Sequence, residues 1–179
     1  WAGQLATSPE TVGYNAAPVT VTGLAGKVST FGLGDDHTCA VTEAGAAQCW
    51  GYNFWGQLGR GTFSQSSSQP ITVTGLDSGV TAVAAGQAHT CAIVNSKVKC
   101  WGYGAAGQLG NNMPLAPDSY YSVSVPVDTV ALNGAVANLN AGYAVSCAQR
   151  VTGETLCWGS GWTGQLGNGT VSSSYTPIT

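Results

Sequence analysis

The tripeptide Gly-Gln-Leu begins at Gly3, Gly56, Gly107 and Gly164, spaced 53, 51 and 57 residues apart, and this recurrence limits the possible folds more than any other feature. A period of about 50 residues marks repeated supersecondary units that bury their faces against one another. Cys-Trp-Gly at Cys49, Cys100 and Cys157 keeps the same phase, as do Gly34, Gly86 and Gly142 before each His/Val-Thr/Ser-Cys segment.

Within each period, short β-prone runs are broken by Gly rather than joined by helical spacing, which predicts an all-β fold with four strands per unit. In the first unit these are 17–23, 27–33, 37–41 and 47–51. In the second they are 70–75, 79–85, 89–94 and 97–102, and in the third 122–130, 135–141, 145–150 and 155–159. The segment 175–179 then reads as the first strand of a fourth unit. The expected organisation is a tail of a preceding repeat with its loop over 1–16, units at 17–59, 60–110 and 111–167, and the start of another at 168–179. The third unit opens with an insertion holding Met113, Pro114, Pro117, Tyr120 and Tyr121. Insertion at one repeated loop marks a variable face.

The hairpin between the third and fourth predicted strands has a readable register. Asn95-Ser96 suits a two-residue turn, whereas Glu43-Ala44-Gly45 and Val151-Thr152-Gly153 suit three-residue loops with a left-handed last residue. In all three, cysteines then face one another: Cys39 and Cys49, Cys91 and Cys100, Cys147 and Cys157. Cross-strand neighbours are about 4.5–5.5 Å apart, within disulfide reach. Three local disulfides are expected; the alternative is reduced thiols in the core, and the spacing does not suit zinc. The same register sets Trp50, Trp101 and Trp158 opposite Thr38, Thr90 and Ser146, as apolar plugs between units. Leu58, Leu109 and Leu166 are expected in the core beside them, with Gln57, Gln108 and Gln165 satisfying backbone groups at a tight turn.

Composition bears on compartment and partners. Only 7% of residues are charged and the net charge is −3, so no basic surface is available for a phosphate backbone and nucleic acid is not an expected partner. No apolar run approaches the roughly 18 residues that would span a bilayer as a helix. Paired cysteines and low charge place the chain outside the cell or on its surface. Its start shows neither a signal peptide nor Met, so upstream sequence is expected.

His37-Thr-Cys-Ala-Val, Gly45, and the run from Cys49 through Trp55-Gly-Gln-Leu-Gly-Arg-Gly61 resemble the regulator-of-chromosome-condensation repeat in its cysteine-containing bacterial form. His89 to Gly110 matches nearly as well, while Val145 replaces the usual His in the third copy. The resemblance implies a β-propeller of four-stranded blades. Such propellers usually close with seven blades, and about three plus partial blades at both ends imply an incomplete ring or open array. The best-known relative is a nuclear exchange factor for a small GTPase, but no GTPase-contacting residue can be carried over to this chain.

Asp36-His37 carries acid/base residue types. The pair does not recur, and His37 and His89 are expected to form hydrogen bonds within their blades. No phosphate loop, nucleophile elbow or histidine zinc motif is present, so neither catalysis, a cofactor nor a metal site is expected. Aromatics in and near the loops, Trp55, Phe63, Tyr120, Tyr121 and Trp162 foremost, with Tyr14, Tyr52, Phe54 and Tyr103, suit ring stacking beside Asn and Gln. Asn168-Gly-Thr170 is a glycosylation sequon, and the stretches 62–68 and 170–176 have the Ser/Thr content of O-glycosylated segments. The expected function is an extracellular scaffold, a filament or a segment of a larger propeller, whose partners are its own copies or further repeats. The alternatives are a module that binds glycans or surface proteins and, more remotely, GTPase exchange.

Overall fold

A computed structural model describes residues 3–6, 17–63, 65–113 and 120–179. These hold twelve strands: β1 Val28–Leu33, β2 His37–Thr42, β3 Ala47–Gly51, β4 Ser67–Thr72, β5 Val80–Ala85, β6 His89–Val94, β7 Lys97–Tyr103, β8 Ser122–Asp128, β9 Val136–Ala141, β10 Val145–Arg150, β11 Thr155–Gly159 and β12 Ser174–Ile178. They form three antiparallel four-stranded sheets in sequence order, β1 to β4, β5 to β8 and β9 to β12. The first strands lie innermost, β1 against β5 and β5 against β9.

The grouping of strands corrects the expected phase. The segments at 70–75 and 122–130 do not open new sheets; as β4 and β8 they pair with β3 and β7 and complete the sheets before them. Likewise β12 completes the third sheet against β11 instead of starting a fourth. The expected boundaries at 59/60, 110/111 and 167/168 therefore fall inside sheets. Residues 17–23 form no strand, because their counterparts are outer strands and no third strand lies beside them among the described residues. Val21 and Leu24 pack instead with Val28 against Ala40 and Trp50. Tyr14, Pro114 and Pro117 lie outside the described residues.

Each hairpin register places the cysteines opposite one another, at Cα separations of 4.1, 4.0 and 4.1 Å, and all three pairs are disulfides. Asn95 and Ser96 both take positive φ, 49° and 64°, as a tight two-residue hairpin turn requires. The Gly of each Cys-Trp-Gly is also structural. Gly51, Gly102 and Gly159 have φ near 100° (106°, 95° and 106°), and a Cβ there would lie 2.5, 2.5 and 2.3 Å from the carbonyl oxygens of Asp36, Ala88 and Ala144. Those carbonyls accept hydrogen bonds from the next residues, Tyr52, Tyr103 and Ser160.

Packing explains the burial patterns. All six residues of β6 are buried because sheets cover both its faces, whereas β10 alternates buried and half-buried residues, with a neighbour on one side. One core joins Cys39, Cys49, Leu58 and Val73 to Val83 and Trp101. A second joins Cys91, Cys100 and Leu109 to Leu139 and Trp158. The disulfides of the first two sheets thus lie on the face turned to the next sheet. Leu166 is also buried.

Candidate functional site

The junctions between sheets repeat one polar arrangement. Trp101 Nε1 and Thr90 Oγ1 both donate to the carbonyl oxygen of Gln57, at 2.8 and 2.9 Å. Trp158 Nε1 and Ser146 Oγ do the same to Gln108, both at 2.9 Å. Trp50 and Thr38 treat Gln4 alike, at 2.8 and 3.1 Å. The Gly-Gln-Leu turns at Gln4, Gln57 and Gln108 are thus each seated on the sheet that follows them. The glutamine side chains hold the turns: Gln57, Gln108 and Gln165 Oε1 accept from the backbone N–H two residues earlier, at Trp55, Ala106 and Thr163.

The histidines belong to these junctions, which corrects the expectation of hydrogen bonds within one blade. His37 Nε2 lies 2.8 Å from Thr90 Oγ1, and His89 Nε2 lies 2.9 Å from Ser146 Oγ, each partner in the following sheet. The register of β2 and β6 turns the imidazoles away from the open surface. Burial lowers the pKa of His37 to about 4; burial and then the charge of His37 lower that of His89 to about 3. Both rings are neutral at pH 7. Asp36 is exposed, whereas His37 is buried with its Nε2 on Thr90, so the two do not form an acid/base pair.

At one end of the strands, equivalent turns of all three sheets converge on a cavity of about 480 Å³. Asp36, Ala88 and Ala144 precede the second strand of each sheet, Tyr52 and Ser160 follow the third strands β3 and β11, and Tyr103 ends β7; all six line the cavity. Trp55, Gln57, Gln87, Gln108, Tyr143 and Trp162 complete much of its wall. An aromatic ridge runs along it. Phe54 meets Trp55 edge-on at 4.9 Å, Trp55 meets Tyr103 at 4.7 Å, and Tyr120 stacks on Trp55 at 5.9 Å. Burial, Tyr120 and Tyr143 together raise the pKa of Tyr103, keeping its phenol a hydrogen-bond donor.

The loop aromatics singled out from sequence therefore divide. Trp55 and Trp162 line the cavity and Tyr120 extends its ridge. Phe63 instead packs beside the Gly56 turn. Tyr121 packs against the second core, and its hydroxyl accepts from Asn111 Nδ2 at 2.7 Å. Tyr143 and Gln87 line the cavity without having been marked in the sequence. They occupy the position of Asp35 in the first unit, where residue type varies from unit to unit. Asn168 Oδ1 accepts from Thr170 Oγ1 at 3.0 Å in a half-exposed turn. Among the described residues no group of three His, Cys, Asp or Glu gathers as a metal site.

Comparison with known proteins matches residues 45–93 to the regulator of chromosome condensation (RCC1) repeat, and a second description of that repeat matches 28–57 and 80–108. The chain is 28% identical to the mitochondrial RCC1 domain-containing protein RUG3 of Arabidopsis thaliana, over 84% of this chain and 34% of that protein. It is 33% identical to the probable E3 ubiquitin-protein ligase HERC6 of Homo sapiens, over 78% of this chain and 13% of that protein. It thus spans about a third or less of these relatives. Human WBSCR16 superposes with a TM-score of 0.72 at 24% identity, over 87% of this chain and 38% of the other. Prp20p of Saccharomyces cerevisiae, studied with its binding to Gsp1p and histones, gives 0.73 at 21%, over 84% and 37%. At these identities the likeness is one of fold.

Proposed function

The chain belongs to the regulator-of-chromosome-condensation repeat family and forms three consecutive blades of a β-propeller, and from that premise we propose that it is a scaffold segment whose two open faces pack against further sheets of the same repeat. One observation carries this reading. Phe31 and Leu33 of β1 are 64% and 66% exposed, while their counterparts Val83 and Ala85 in β5 are 6% and 7% exposed against the preceding sheet. The opposite end shows the same contrast. Cys39, Cys49, Cys91 and Cys100 are fully buried beneath a following sheet, but Cys147 and Cys157 are half-buried and Gln165 is exposed.

The seat on Trp50 and Thr38 is already filled by Gln4, so among the described residues the first face lacks a neighbouring sheet and not the turn that goes with one. A sheet of the same repeat supplies matching shape and apolar surface. Three disulfides and low charge support an extracellular or surface setting. Sedimentation of the chain over a range of concentrations tests the proposal: weak self-association is expected, abolished by Phe31→Asp with Leu33→Asp. A monomer at every concentration contradicts it.

A further inference from the structure

We propose that the concave face spanning the three blades binds an uncharged saccharide. This goes beyond the scaffold reading and does not depend on it. The cavity, about 480 Å³, falls in the range of small-ligand sites. Its position follows from the repeat, since the same turns meet there; its chemistry comes from residues that do not repeat.

Three features select the ligand class. The lining offers flat apolar platforms already facing water, with Tyr143 70% and Trp162 77% exposed, together with the Trp55–Tyr103 pair, whose rings meet at 4.7 Å. Such rings take the C–H face of a pyranose. The same lining holds Asp36, Gln87 and Ser160. A carboxylate accepts, while amide and hydroxyl groups both donate and accept, so they pair with hydroxyls that also do both. Gln57 also lies in the wall, and its buried Nε2 has no hydrogen-bond partner.

Among the described residues no Lys or Arg lines the cavity, and the Asp36 carboxylate in its wall repels anions. Sulfated, phosphorylated and sialylated glycans are therefore poor fits. A proline-rich peptide would use the aromatic ridge but leave the amide and carboxylate groups without partners, which costs affinity.

The test is an array of short hexose and N-acetylhexosamine oligosaccharides with sulfated and sialylated counterparts, probed with the intact chain alongside a polyproline peptide. Binding to an uncharged member is expected, without preference for the charged ones. Tyr143→Ala or Trp162→Ala should each weaken it about tenfold, the scale of one aromatic platform. Both side chains are exposed, so melting temperature and self-association should stay as in the parent. Asp36→Asn should weaken binding without changing either. No uncharged saccharide bound at millimolar concentration, binding indifferent to both aromatic substitutions, or preference for polyproline would each overturn the proposal.

Discussion

His37 Nε2 lies 2.8 Å from Thr90 Oγ1, a contact made across two sheets by residues 53 positions apart. Thr90 spends its hydroxyl proton on the Gln57 carbonyl, 2.9 Å away, so His37 must donate from Nε2 and is the Nε2–H tautomer. The same argument applies to His89, Ser146 and Gln108. Each junction is thus a directed relay from imidazole to hydroxyl to turn carbonyl.

Thr90→Val keeps the shape of the side chain but removes the middle of that relay, leaving the imidazole N–H buried and unpaired. Urea unfolding should show a loss of about 1–3 kcal/mol. Thr38→Val, at a half-exposed position, should cost less.

Acid should destabilise the chain through the two histidines. Their folded pKa values, about 4 and about 3, lie below the ordinary 6.5, so between those limits the unfolded chain binds protons that the folded chain does not. Stability is therefore complete above pH 6.5 and falls as pH drops through the window, by up to about 1.4 kcal/mol per pH unit for each histidine. Urea midpoints measured from pH 7 to pH 4 should fall, and His89→Gln should flatten the dependence.

The three disulfides should not reduce together. Cys147–Cys157 is half-buried and the others are fully covered, so limited dithiothreitol followed by alkylation and peptide mass analysis should label Cys147 and Cys157 first. Closing each loop contributes roughly 3 kcal/mol in the chain-entropy account. Full reduction should lower the melting temperature accordingly.

Gly102→Ala places a methyl group 2.5 Å from the Ala88 carbonyl oxygen at a φ of 95°. Strain and collision should lower stability by about 1–3 kcal/mol, measurable by thermal unfolding. Gly153→Ala shares the positive φ but meets no atom within 4 Å, and should cost less.

Local features were legible and long-range ones were not. The hairpin registers, and with them the cysteine pairs, follow from turn length and residue type within a dozen positions. A repeat period, however, has no phase: nothing local decides whether 67–72 opens a sheet or closes one, since its partner β3 lies beyond an intervening loop. The link from His37 to Thr90 was hidden for the same reason. In the cavity, Trp55 and Trp162 stood out as loop aromatics, while Tyr143 sat next to a glycine in a strand connection and became part of the face only once three sheets were set side by side.

The most direct test of the scaffold reading is a photo-crosslinking amino acid at position 31, where the Phe31 side chain now faces solvent. Intermolecular products are expected whose crosslinks map to β10 and β11 of a second molecule, on the face carrying Cys147 and Cys157. Monomer alone after irradiation, or crosslinks confined to the aromatic cavity, would contradict it.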